Sequence, residues 1–152
     1  MAKSTIRQQL VEKVTARLQT ILQANDYNTD LGLRVRVSPT DQFKPPETEG
    51  KSYCLDLFFP TSGSDISEVT KRWDHSLDVD IDVYGFGPVT EADISNMIAD
   101  VFAAVGTDPG WDGLAIKSRT PQVNPELARR ERLVGCANIA FKIEYMTPEW
   151  QI

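Results

Sequence analysis

Few side chains in this 152-residue chain could do covalent or acid–base chemistry. The single histidine, His75, sits between Trp73 and Leu77 on the apolar side of an alternating run, where a hydrogen-bonded structural histidine is the better reading than a general base. Neither Ser76 nor either cysteine is placed as a nucleophile, and no G-x-S-x-G elbow occurs. Cys54 and Cys136 are far apart, form no C-x-x-C pair, and read as reduced, partly buried thiols. Gly85-Phe86-Gly87 precedes a helix, but Thr90 stands where a dinucleotide loop needs its third glycine. Asp78, Asp80 and Asp82 match the first three ligands of an EF-hand loop. Val83 then stands where that loop needs glycine, and Val89 where it needs glutamate. With Val79 and Ile81 between them, the three acids line one face of a strand at roughly 7 Å spacing. A solvated acidic face accounts for them best, so no catalytic residue, cofactor or metal ligand set is expected.

Charge carries more information than motif. The net charge of −6 argues against a protein that holds nucleic acid by counterion release. The charges are unevenly spread. Lys3, Arg7, Lys13 and Arg17 stand against Glu12 in the first helix, and Lys117, Arg119, Arg129, Arg130 and Arg132 against Glu126 and Glu131 in a late polar stretch. Glu91, Asp93 and Asp100 mark a second helix, and Glu68, Asp74, Asp78, Asp80 and Asp82 stand against Lys71 and Arg72 in a long strand. Two readings stay open: mixed solvated faces, or subunits that dock basic loop to acidic surface. On the second, Arg119, Arg129, Arg130 and Arg132 are the candidate subunit or partner contact loop. No segment approaches the roughly 18 apolar residues of a membrane span, and the start Met-Ala-Lys-Ser-Thr lacks the apolar core of a secretory signal, so a cytoplasmic product is expected.

The elements that position these residues follow from periodicity. Ser4 or Thr5 can cap a helix whose apolar stripe is Ile6, Leu10, Val11, Val14, Leu18, Ile21 and Leu22, ended by Asn25 and Asp26. Leu33 to Val37 and Tyr53 to Phe59 read as strands, separated by a Pro-rich loop from Pro39, and the run Pro60 to Asp65 reads as a break. Val69 to Tyr84 alternates strictly: Trp73, His75, Leu77, Val79, Ile81 and Val83 on one face, acids on the other. A second helix starts at Thr90 with Asp93 in a capping box and buries Ile94, Ile98, Val101, Phe102 and Val105, stopping at Gly106. A strand near Leu114 to Ser118, a polar loop from Thr120 to Arg132 and a long strand from Leu133 to Met146 complete the chain. The expectation is one α+β domain over residues 1–152, with a mostly antiparallel twisted sheet and two amphipathic helices packed on one face, in the order αββ-βαβ-β.

This chain resembles tailed-bacteriophage tail terminator (tail completion, head–tail joining) proteins. The resemblance lies in the N-terminal amphipathic helix followed by Asp26-Tyr27-Asn28-Thr29-Asp30-Leu31-Gly32 and the Arg34-Val35 strand. It continues through Val83-Tyr84-Gly85, Asp100-Val101-Phe102 and Glu144-Tyr145. The segment Pro39 to Glu49 has no counterpart. The resemblance implies a structural virion protein, not an enzyme: a hexameric homo-oligomeric ring at the tail and neck, assembled in the host cytoplasm. That ring caps the tail tube, stops its polymerisation and offers a surface to the head connector. Its partners would be other copies of itself, the tail tube protein and the head–tail connector protein, with no membrane. DNA would pass through the lumen without specific binding, and a stripe like Asp78, Asp80 and Asp82 would suit such a lumen by repelling phosphate. Two alternatives are a neighbouring neck or head-completion connector protein and a small cytosolic enzyme.

Overall fold

A computed structural model describes residues 4–41, 50–60, 62–67, 72–119, 122–129, 133–148 and 152. Its centre is a pair of long antiparallel strands, β4 (Arg72–Phe86) and β7 (Leu133–Pro148), in continuous register from Arg72↔Pro148 to Phe86↔Val134. The strict alternation expected of β4 holds over its described residues, the expected start at Val69 lying outside them. His75, Leu77, Val79, Ile81 and Val83 are buried on one face, and the facing residues of β7, from Ala137 to Tyr145, continue that apolar surface. One free edge of β4 carries β2 (Ser52–Phe58) along Asp80–Phe86 and β3 (Ser62–Ser67) along Arg72–Leu77. Likewise β7 carries β6 (Gln122–Arg129) along Leu133–Ala140 and the short β5 (Lys117–Ser118) at Ile143–Glu144. Beyond β2 lies β1 (Val35–Val37), paired with it in parallel. The class is therefore α+β with a mixed, mostly antiparallel sheet of seven strands.

The element order differs from expectation at two places. The Ser-Gly-rich segment expected to break the chain after Pro60 forms β3, and the expected polar loop after Thr120 contains β6. Both are outer members of hairpins, held by backbone pairing to a long neighbour, and in β6 Val123 also packs against the core.

Helix α1 (Ile6–Leu18) is capped by Thr5, whose hydroxyl accepts from the Gln8 N–H, and buries Leu10, Val14 and Leu18 at spacings of four. It ends a turn earlier than the Ile21–Leu22 stripe suggested. The reason is a crossing segment: the Gly32 N–H bonds to the Ile21 carbonyl at 2.8 Å, and a Cβ at Gly32 would sit 2.4 Å from the Gln19 carbonyl oxygen. Only glycine lets the chain pass this close to the helix end. That segment begins with the 3₁₀ turn Leu31–Leu33, so Leu31 is the buried residue and Leu33, expected inside a strand, is 67% exposed.

Helix α2 (Glu91–Gly106) begins with the expected capping box between Thr90 and Asp93. Its buried face is Ile94, Met97, Val101 and Ala104, with Ile98 and Val105 half-buried; Phe102, expected inside, is rotated outward and 41% exposed. Both helices and the apolar face of the sheet share one core cluster, which Trp111 completes from the turn after α2. Trp111 stacks on Phe141, lies under the Arg17 guanidinium at 3.9 Å, and donates its indole N–H to Ser118. Burying so large a ring with its one polar atom bonded contributes several kcal/mol, about 3–5 by the usual cost of truncation to alanine.

Candidate functional site

The helices cover one face of the sheet; the opposite face carries the row Asp78, Asp80 and Asp82, alternating with the buried residues of β4. Antiparallel register sets Lys142 opposite Asp78 and Asn138 opposite Asp82. The Asn138 side-chain amide donates both to Asp80 and to Asp82, at 2.5 and 2.8 Å, tying together two carboxylates that would otherwise only repel. Burial raises the Asp82 pKa, with Asp80 and Asp56 adding to the rise and the Asn138 hydrogen bond opposing it. The Lys142 ammonium lies 3.6 Å from Asp78.

One strand further out, Asp56 faces Asp82 across the β2–β4 ladder and is buried. Its charge is met by Arg36 of β1 in a two-pronged contact, Nε to Oδ1 at 2.7 Å and Nη2 to Oδ2 at 2.8 Å. That hydrogen bond raises the Arg36 pKa still further above its usual range. Cys54 is fully buried beside this pair, and burial together with Asp56 pushes its thiol up to about 12. A thiol held protonated in this way is not a nucleophile at neutral pH.

The arginines expected to form a separate basic loop fare differently. Arg119 lies over the same sheet face as the acids, bonding Glu144 at 2.7 Å beside Lys117. An open cleft of about 350 Å³ brings Arg119 and Lys142 together with Asp78 and Asp80, walled by Pro60 and Gln122. Acidic stripe and basic residue are thus neighbours here, not opposite poles of the molecule. Arg129 ends β6 instead of lying in a loop, and its side chain, like all of Arg130 and Arg132, falls outside the described residues.

Much of the expected charge separation is also used up locally. On α1, Lys13 pairs with Asp112 at 2.7 Å and Arg17 with Asp108 at 3.7 Å. On α2, Asp93 serves the capping box and Lys51. Asp100 is buried and accepts four hydrogen bonds: from the Asn28 N–H at 2.9 Å and side-chain amide at 3.0 Å, and from the Thr29 N–H at 2.8 Å and hydroxyl at 2.6 Å. An acid one residue from Val101, on the Met97–Ala104 stripe, was the available signal that Asp100 points inward.

His75 lies on the helix-facing side, 5% exposed, stacked on Tyr145. Both ring nitrogens are engaged at 2.7 Å, Nδ1 with the Ser64 hydroxyl and Nε2 with that of Thr147. Two hydroxyls satisfy a buried imidazole of either tautomer. Among the described residues, no group of three or more His, Cys, Asp or Glu is arranged to hold a metal ion. No protein-family model and no curated protein sequence matches the chain.

Proposed function

We propose that this chain is the subunit of an oligomeric ring at the neck of a tailed bacteriophage, capping the tail tube, ending its polymerisation and presenting a surface to the head connector. The observation that carries the reading is the two-faced sheet: one face closed by both helices, the other bearing the Asp78-Asp80-Asp82 row. In a ring, that second face would line the lumen. Carboxylates held in place by Asn138 and Lys142 would repel passing phosphates, so DNA would slide without sticking. The sequence resemblance to tail terminators supplies the expected hexameric order and the tube and connector as partners.

Native mass spectrometry with negative-stain electron microscopy of the purified protein tests the ring, alone and mixed with tail tubes. Rings on tube ends and an arrest of tube growth are expected. A strict monomer that also ignores tubes would overturn the reading, and rings that bind the connector but not the tube would move the protein to the connector side of the neck. For the lumen, Asp78→Asn, Asp80→Asn and Asp82→Asn together should slow DNA ejection; unchanged ejection would remove the acidic row from it.

A further inference from the structure

From the strand edges we infer how copies join in that ring: the outer edge of β1 pairs antiparallel with the outer edge of β6 of the next copy, making the sheet continuous around it. The inference rests on the ring reading above and adds which residues form the contact.

Backbone hydrogen bonds determine which groups are available. The Arg34 carbonyl accepts from the Leu55 N–H and the Ser38 N–H donates to the Leu57 carbonyl, so Arg34, Arg36 and Ser38 turn toward β2. Val35 and Val37 therefore turn their N–H and C=O outward. The same parity carries across the continuous registers. Leu55 turns to β1, hence Asp56 and its partner Asp82 to each other, Val83 and Ala137 to each other, and Cys136, Asn138 and Ala140 to β6. On β6 that leaves the backbone groups of Val123, Pro125, Leu127 and Arg129 pointing outward. Among the described residues no strand pairs with either outer edge.

Direction is compatible as well. Across this half of the sheet the order is β1-β2-β4-β7-β6, and β1, β2 and β7 run opposite to β4 and β6. A head-to-tail neighbour thus presents β6 antiparallel to β1, and a contact between two different edges can close into a ring. The β1 edge is short but apolar: Val37 is 45% exposed on it, and Leu33 just before it is 67% exposed. Pro125 has no N–H to offer, so the three-residue β1 sits on the Leu127 side of it, with Val37 opposite Leu127 and Val35 opposite Arg129. A second copy of this chain is the occupant, since its own β6 supplies the missing donors and acceptors in matching direction.

Val37→Pro and Leu127→Pro each remove an outward N–H while leaving the chain's internal ladder untouched. Circular dichroism checks their fold, and sedimentation velocity reads their assembly. Each variant should stay folded and need about tenfold or more higher concentration to assemble than the wild type. Independently, Val37→Cys with Leu127→Cys in a Cys136→Ala background should give intermolecular disulfides on oxidation, whereas either cysteine alone should not. Wild-type rings with both proline variants still assembling, or no cross-link between positions 37 and 127, would overturn the edge pairing and leave the ring reading standing. A wild type that never forms a ring would overturn both.

Discussion

Removing the Asp100 carboxylate should be among the most damaging single changes outside the apolar core. The group is 2% exposed and accepts four hydrogen bonds, two of them from backbone N–H groups of Asn28 and Thr29. Asp100→Ala strands the Thr29 donors in a buried site, while the donors of the exposed Asn28 can turn to water. Each orphaned buried donor costs about 1–3 kcal/mol, and bonds to a charged acceptor are worth about 1.5–3 each. Because the carboxylate's own desolvation cost vanishes with it, the net expected loss is roughly 3–5 kcal/mol rather than the full sum. For a chain of this length about 2–4 °C accompanies each kcal/mol, so Tm should fall by roughly 6–20 °C. Asp100→Asn keeps one acceptor oxygen but turns an amide toward donors, and should lose about half as much. Urea and thermal unfolding followed by circular dichroism measure both. A cycle with Thr29→Val should show coupling of at least about 1 kcal/mol. If Asp100→Ala unfolded within about 0.5 kcal/mol of wild type, or the cycle were additive, the carboxylate would not be the staple that holds residues 28–29 to α2.

Acid should destabilise the fold through three carboxylates. The Arg119 hydrogen bond lowers the Glu144 pKa, the Lys13 hydrogen bond lowers that of Asp112, and for Asp93 burial is outweighed by Lys51 and Thr90, so it too is lowered. Groups depressed in the folded state contribute above their unfolded values, about 3.9 for Asp and 4.3 for Glu, and the contribution is lost as pH falls through the folded values. Urea midpoints should therefore hold above about pH 5 and drop below about pH 4; a midpoint that keeps rising down to about pH 3 would contradict this. Asp82 has the opposite sign, because burial raises it, so Asp82→Asn should raise the midpoint at pH 7 relative to wild type. Gly32→Ala should cost about 1–3 kcal/mol, since the added methyl meets backbone rather than a side chain that can move, and a change under about 0.5 kcal/mol would refute the close crossing. In the native protein Cys54 should resist a thiol reagent at pH 8 and react only after unfolding, which mass spectrometry of the labelled chain would show.

Much of the interior could be read directly from residue order. Trp73 to Val83 alternates with period two because one side meets water and the other does not, and His75 fell on the apolar side as its neighbours required. Thr90 and Asp93 announced the start of α2 because a capping box is complete within four residues. The acid row was legible for the same local reason. What surrounds it was not: Asn138, Lys142 and Arg119 arrive from elements dozens of residues away, so that Asp78 is paired with Lys142, Asp80 and Asp82 share the Asn138 amide, and Arg119 lies in the adjoining cleft.

The sequence by itself determined most of the side chains that go inside, Phe102 and Leu33 excepted, where α2 begins and that strands dominate the second half, since burial acts on side-chain type and repeats with the period of the local backbone. Tertiary structure alone decided that Ser62–Ser67 and Gln122–Arg129 are strands, that α1 stops at Leu18, and that Lys13 and Arg17 meet Asp112 and Asp108. Backbone N–H and C=O groups are alike in nearly every residue, so which strand pairs with which leaves no mark on composition. It depends on the long neighbour that folding brings alongside.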